Sequence, residues 1–217
     1  MSEQQWQEKT KNLLDYLNAA VQDQDLQIAA LPKLDLYMDQ VISLCQDEIG
    51  YFPKEEPIQP VLTKTMINNY SKEGLLLNIK GKKYSPAHIL QMQLIYHLKQ
   101  VLSINEIKKL FDALEQDLVE QETHCYQEEH VFALSQCFLQ EKECIRQQLP
   151  QLLTDLILCH VPKEEKISDQ GQKALQILAL TTIADYARKT AMAMVADLAE
   201  SETPGKKNKK QKQKAAE

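Results

Sequence analysis

Three helix-start signals crowd residues 62–110, and they restrict that stretch to short helices joined by tight turns. Thr63 precedes an amphipathic run that Gly74 ends. Ser85-Pro86 sets a capping hydroxyl before a residue whose φ is already helical, and Ser103 with Glu106 has the spacing of a capping box. Between the first two starts lies LLLNIKGKKY, residues 75–84, read as a two-stranded ribbon with Lys80-Gly81 at its tip, where glycine accommodates a positive φ. The order is therefore short helix, hairpin, helix, helix.

This stretch is also where the positive charge lies. Residues 61–109 carry 8 Lys/Arg against 2 Asp/Glu, whereas residues 1–60 carry 4 against 11 and residues 110–205 carry 7 against 17. A net charge of −6 hides that segregation. A local cationic surface can neutralise phosphates, and acidic flanks confine such a contact to one face. Basic and acidic surfaces can equally pair with each other.

On a helix over residues 63–73, Met66, Ile67 and Tyr70 share one side, while Lys64, Thr65, Asn68, Asn69 and Lys72 share the other. That polar side offers amides, a hydroxyl and two ammonium groups without an acid. Such groups donate to phosphates, and asparagine in a major groove binds adenine bidentately. Lys80, Lys82 and Lys83 at the ribbon tip suit backbone phosphates, or serve as an edge-strand guard against sheet pairing.

The rest of the chain is expected to be helical. Residues 1–30 form a polar arm with Trp6, Leu13, Leu14, Leu17 and Val21 at helical spacing. LDLYMDQVISLCQDEIG is a helix with Asp35 as N-cap and Gly50 as stop, followed by an extended Pro-rich linker to Pro60. Residues 122–149 carry Val131, Leu134, Phe138, Ile145 and Leu149 near a heptad seam, broken by Pro150. A short helix then reaches about His160, and a final helix over about 170–200 is apolar enough to be well buried. The lysine-rich end, residues 204–217, is expected to be disordered.

Five cysteines with no CxxC leave no disulfide framework, and the chain contains no Gly-rich phosphate loop, HExxH, GxSxG or paired-cysteine zinc spacing. His130, Cys137 and Cys144 recur at seven-residue spacing, but such cysteines usually pack as small hydrophobes. His124-Cys125 and Cys159-His160 carry still less weight. His88 and His97 read as packing or surface residues rather than ligands. The expectation is a non-enzyme with no cofactor and no metal. No apolar stretch is long enough to span a bilayer, and no leader-like run opens the chain, so no membrane contact and a cytoplasmic location are expected.

LTKTMINNYSKEGLL resembles the recognition helix of MerR-type regulators, and GKKYSPAHILQMQLIYHLKQVLSINEIKKL resembles the remainder of that module. With LPKLDLYMDQV added, residues 31–115 resemble more closely still a bacterial family known as domain of unknown function 1836. The resemblance implies a mostly α fold: a winged helix-turn-helix over residues 31–118 with a short β-hairpin wing at 76–84. A helical dimerisation or sensing region over 119–203 follows. It implies a transcription regulator that binds double-stranded DNA, as a homodimer, through Lys64, Thr65, Asn68, Asn69, Tyr70, Lys72, Lys80, Lys82 and Lys83. The family's recognition-helix Arg corresponds to Asn68, the next Tyr to Asn69, the second Tyr to Tyr70, and the wing Arg to Lys82. Asparagine lacks charge and lysine lacks the bidentate fork. That departure favours an alternative, a protein-interaction adaptor on the same scaffold.

Overall fold

The computed structural model describes residues 3–49, 61–119, 128–158 and 168–201. The elements run α1 (Glu3–Ala20), a 3-10 turn (Ile28–Ala30), β1 (Leu36–Tyr37), α2 (Met38–Glu48), α3 (Lys64–Lys72), β2 (Lys83–Tyr84), α4 (Pro86–Lys99), α5 (Ile104–Val119), α6 (Glu128–Leu158) and α7 (Asp169–Ser201). The fold is mostly helical, with one small antiparallel sheet in which Leu36 faces Tyr84 and Tyr37 faces Lys83.

The three starts around α3, α4 and α5 hold. Thr63 Oγ1 accepts from the Met66 amide at 3.2 Å and so caps α3. At the other end Gly74 sits at φ +71°, with its amide on Ser71 O and the Leu75 amide on Tyr70 O. That double closure is a Schellman ending, and a glycine is needed there because only it takes a left-handed φ without cost. Ser103 and Glu106 form their reciprocal box at the head of α5, at 2.7 and 3.3 Å. At α4 the partner of Ser85 is a histidine: His88 Nδ1 lies 3.0 Å from the Ser85 amide and 2.8 Å from its hydroxyl.

α4 is the centre of the molecule, with every side chain from Ala87 to Ile95 buried. Ile67, Ile89, Ile95 and Ile107 are fully buried around it, and each such side chain stabilises the fold by about 2 kcal/mol. Leu134 and Phe138 of α6 and Met192 and Val195 of α7 pack on the same core. A second cluster joins Leu13 and Leu17 of α1 to Ile157 of α6 and to Ala179, Leu180 and Ile183 of α7. The first helix is thus docked onto α6.

α4 also holds its neighbours through buried amides. Gln93 Oε1 accepts from the Leu26 amide at 2.7 Å, and its Nε2 donates to Leu26 O at 3.3 Å. Gln91 Oε1 accepts from the Leu77 amide at 2.9 Å. Satisfied amides of this kind fix the route of the two irregular segments that cross α4.

Four expectations are corrected. The ribbon over residues 76–84 is reduced to a tight turn closed by the Lys83 amide on Lys80 O, with one bridge between those two residues. Its first arm cannot be a strand partner, because the Leu77 amide is taken by Gln91 and His88 Nε2 lies against Leu77 O. The second arm pairs with β1 instead. Second, α2 is capped by Tyr37, with Gln40 accepting from its amide at 2.9 Å, and not by Asp35; Gly50 and the linker lie outside the described residues. Third, Pro150 does not break the long helix: it is buried inside α6, and Thr154 Oγ1 donates to Pro150 O at 2.8 Å. Packing of Val131 and Ser135 before it and Ile157 after it offsets the lost backbone bond. Fourth, α7 is not well buried: of its described large apolar side chains only Val195 is below a tenth exposed, while Ile177, Leu178, Tyr186 and Met194 exceed half exposure.

Candidate nucleic-acid interface

α3 turns its apolar side, Ile67 and Tyr70, into the core and leaves Lys64, Thr65, Asn68, Asn69 and Lys72 exposed. Thr65, Asn68, Asn69 and Lys72 line an open groove of about 460 Å³ whose far wall is Lys99, from the end of α4, and Ile104, from the start of α5. Two ammonium groups, two amides and a hydroxyl therefore border a partly apolar floor. Lys99 was not anticipated from the sequence. Its Nζ stands 6.0 Å from the centre of the Tyr70 ring, a cation–π distance that holds the ammonium over the groove.

Tyr70 itself is corrected as a contact residue: it is 1% exposed and belongs to the core. Its hydroxyl has no hydrogen-bond partner, and burial raises the pKa of the phenol. Its role is to support α3 and Lys99 from beneath.

The basic turn is built by left-handed backbone at two successive residues, Gly81 at φ +62° and Lys82 at φ +61°. This is the geometry of a two-residue turn whose twist suits flanking strands. A lysine at such a φ costs about 1 kcal/mol relative to glycine. Lys80, Lys82 and Lys83 are all exposed. Lys83 Nζ lies 5.5 Å from the Tyr37 ring, and Lys64 pairs with Asp39 at 2.7 Å. Tyr37 and Asp39 both belong to the start of α2, so the turn and the head of α3 meet at the same end of that helix. The Lys64–Asp39 pair is solvent-exposed on both sides, at 64 and 76%, and contributes little stability.

The structure also contains a polar cluster the sequence did not signal. Asp25 Oδ1 accepts from His97 Nε2 at 2.6 Å, and both its oxygens accept from Lys142 Nζ at 2.9 and 2.7 Å. Asp23 joins through Lys142 and through Arg146 Nη2 at 3.2 Å. Asp23, Asp25 and His97 bring donor atoms within 4.8 Å of one another, close enough for a metal. Lys142 and Arg146 already neutralise the two carboxylates, which makes this an ion-pair network tying residues 21–27 to α4 and α6. Burial pushes the Asp25 carboxyl up, but hydrogen bonds from His97 and Lys142 outweigh it and hold the carboxyl below its ordinary 3.8. Cys137 and Cys144 of α6 are exposed, not seam residues; His124, Cys125, Cys159 and His160 lie outside the described residues.

A pH prediction follows from two groups. Burial lowers the pKa of His88 below its ordinary 6.5, only partly opposed by the bond to Leu77 O and the charges of Glu128 and Asp35. With both pKa values depressed in the fold, the unfolded chain binds more protons, so stability declines as pH falls. The decline begins below 6.5 through His88 and resumes below 3.8 through Asp25. Urea midpoints measured from pH 7.5 downward should fall in that first window, and His88→Gln should remove the first decline. A midpoint that rises on acidification contradicts the assignment.

Taken with the fold, the site defines a small helical domain that presents a polar helix face and a basic turn. Residues 26–133 match the model of a family described as Domain of unknown function (DUF1836). That match agrees with the resemblance carried by residues 31–115. No curated protein and no solved structure matches the chain.

Proposed function

We propose that the chain is a transcription regulator that binds double-stranded DNA through a winged helix-turn-helix. In this reading α2 and α3 form the helix pair, separated by an unusually long connection. Thr65, Asn68, Asn69 and Lys72 enter the major groove. Lys80, Lys82 and Lys83 hold the flanking phosphates as a reduced wing, and Lys99 adds a phosphate contact. The observation that carries the reading is the α3 groove: amides, a hydroxyl and two lysines without a carboxylate among its lining residues. That is the donor set for phosphates and base edges.

The reading predicts that Asn68 carries sequence discrimination. Duplexes selected from a random pool by the wild-type chain should share a site, and Asn68→Ala should lose about 1–3 kcal/mol of preference at one base pair. Selection of no common site, or of the same site with equal preference by the variant, contradicts it.

The second reading, an adaptor for a protein partner, is favoured by the Asp39 carboxylate against Lys64 and by Asn68 where the resemblance expects an arginine. It keeps the same surface and exchanges the ligand.

A further inference from the structure

We propose that His88 is the positioning residue of the basic turn: its neutral ring clasps both arms of the turn, and a proton on Nδ1 releases them. A capping box ordinarily takes Glu or Gln three residues after the N-cap, where it needs only an acceptor. An imidazole supplies an acceptor and a donor at opposite edges of one rigid ring. The Ser85 amide donates to His88 Nδ1 at 3.0 Å, so Nδ1 carries no hydrogen and the proton of the neutral ring sits on Nε2. From there it is donated to Leu77 O at 3.2 Å. Leu77 leads into the turn and Ser85 leaves it, so one side chain spans residues 77–85, with Lys80, Lys82 and Lys83 between. Gln91 takes the Leu77 amide at 2.9 Å, so α4 grips residue 77 through two successive peptide groups. On the exit arm the Tyr84 ring meets the imidazole edge-on, with 5.8 Å between centres.

This place does not suit a second proton. His88 is 4% exposed and Ser85 8%. A proton on Nδ1 would point at the Ser85 N–H and leave that buried donor without its acceptor; only the Ser85 hydroxyl, 2.8 Å away, could turn to accept it. It would also set a positive charge in the first turn of α4, where the helix dipole is positive. The charges that reach the ring are Glu128 of α6 and Asp35 ahead of β1; both favour the imidazolium, and burial outweighs them. α4 itself has no charged side chain before His97, and Lys83 of β2 turns its ammonium onto the Tyr37 ring. Protonation therefore exchanges the clasp for an uncompensated charge, and the ring gives up its hold on the two arms. The consequence has a sign that bulk charge does not. Acidification makes the chain more positive, which by itself strengthens attraction to a polyanion; release of the turn weakens it.

Nitrogen-15 NMR of the full chain from about pH 7.5 to about pH 4.5 tests this. At the upper end the His88 ring should be the Nε2–H tautomer, and on acidification the amides of Gly81, Lys82 and Lys83 should shift in step with its titration. Those amides should stay fixed in His88→Gln, which keeps an acceptor for Ser85 and loses the donor to Leu77. A ring protonated on Nδ1 at the upper end, a ring that stays neutral throughout, or turn amides that ignore its titration overturns the proposal. The duplex measurement rests on the DNA reading above. Wild type should bind duplex about tenfold more tightly than His88→Gln at the upper pH, the worth of one phosphate contact, and lose that advantage at the lower. An advantage that persists or grows on acidification overturns the coupling of His88 to the turn's grip. If neither chain retains duplex, the DNA reading falls, and the NMR titration alone decides the clasp.

Discussion

Asp25→Ala lowers the stability of the folded chain by about 3 kcal/mol, the expected consequence of removing one partner from a buried ion pair. The Asp25 side chain is 3% exposed and receives His97, Lys142 and, at 3.5 Å, Arg146. Removing it leaves Lys142, itself only 18% exposed, with Asp23 as its remaining carboxylate. The effect spreads because residue 25 adjoins Leu26, whose backbone is clasped on both sides by Gln93. The segment that joins α1 to the rest of the domain thus hangs on one carboxylate and one amide. Urea denaturation reads the change directly. Asp25→Asn, which keeps the shape and two acceptor lone pairs but not the charge, should fall between wild type and alanine. A loss below about 1 kcal/mol for alanine, the level of an exposed pair, contradicts the view that this network is structural.

Lys82→Glu/Lys83→Glu has the largest expected effect on binding. Both side chains are exposed on a turn whose backbone is set by Gly81 and by the Lys83–Lys80 hydrogen bond, so the substitutions change charge without touching the core. Two favourable phosphate contacts become two repulsive ones. Duplex affinity should fall on every sequence alike, and the slope of log affinity against log salt should become shallower by about two. Thermal stability should change little, because neither ammonium belongs to a buried pair. If duplex retention is unchanged while a protein partner is lost, the adaptor reading replaces the nucleic-acid one.

Much of this was legible in the chain where the determinants are local. Thr63, Gly74, Ser85-Pro86 and Ser103 to Glu106 each act on the helix end beside them: all three helices begin, and α3 ends, where those residues direct. The two sides of α3 were legible for the same reason, Tyr70 included: periodicity sets it with Met66 and Ile67, where it is buried, and only the resemblance made it a contact. Non-local features were not legible. A two-residue strand such as Leu36–Tyr37 carries no periodicity, and its partner Lys83–Tyr84 lies far along the chain. Asp25 and Lys142 are 117 residues apart, so no spacing links them. Gln91 and Gln93 left a faint trace, two amides inside an otherwise apolar helix, and Lys99 left none. Pro150 misled because its lost backbone bond is a local effect, whereas the packing that holds both flanks of α6 comes from residues distant in the chain.

The most direct test of the central claim is duplex affinity of the full chain, measured at about 50 and 200 mM salt for the wild-type chain and for Lys82→Glu/Lys83→Glu. With about four phosphate contacts the wild-type affinity should drop about 100-fold between the two conditions, and the variant should bind more weakly with a shallower dependence. Duplex binding that is absent at the lower salt, or equal at both, would contradict the claim that α3 and the basic turn grip DNA.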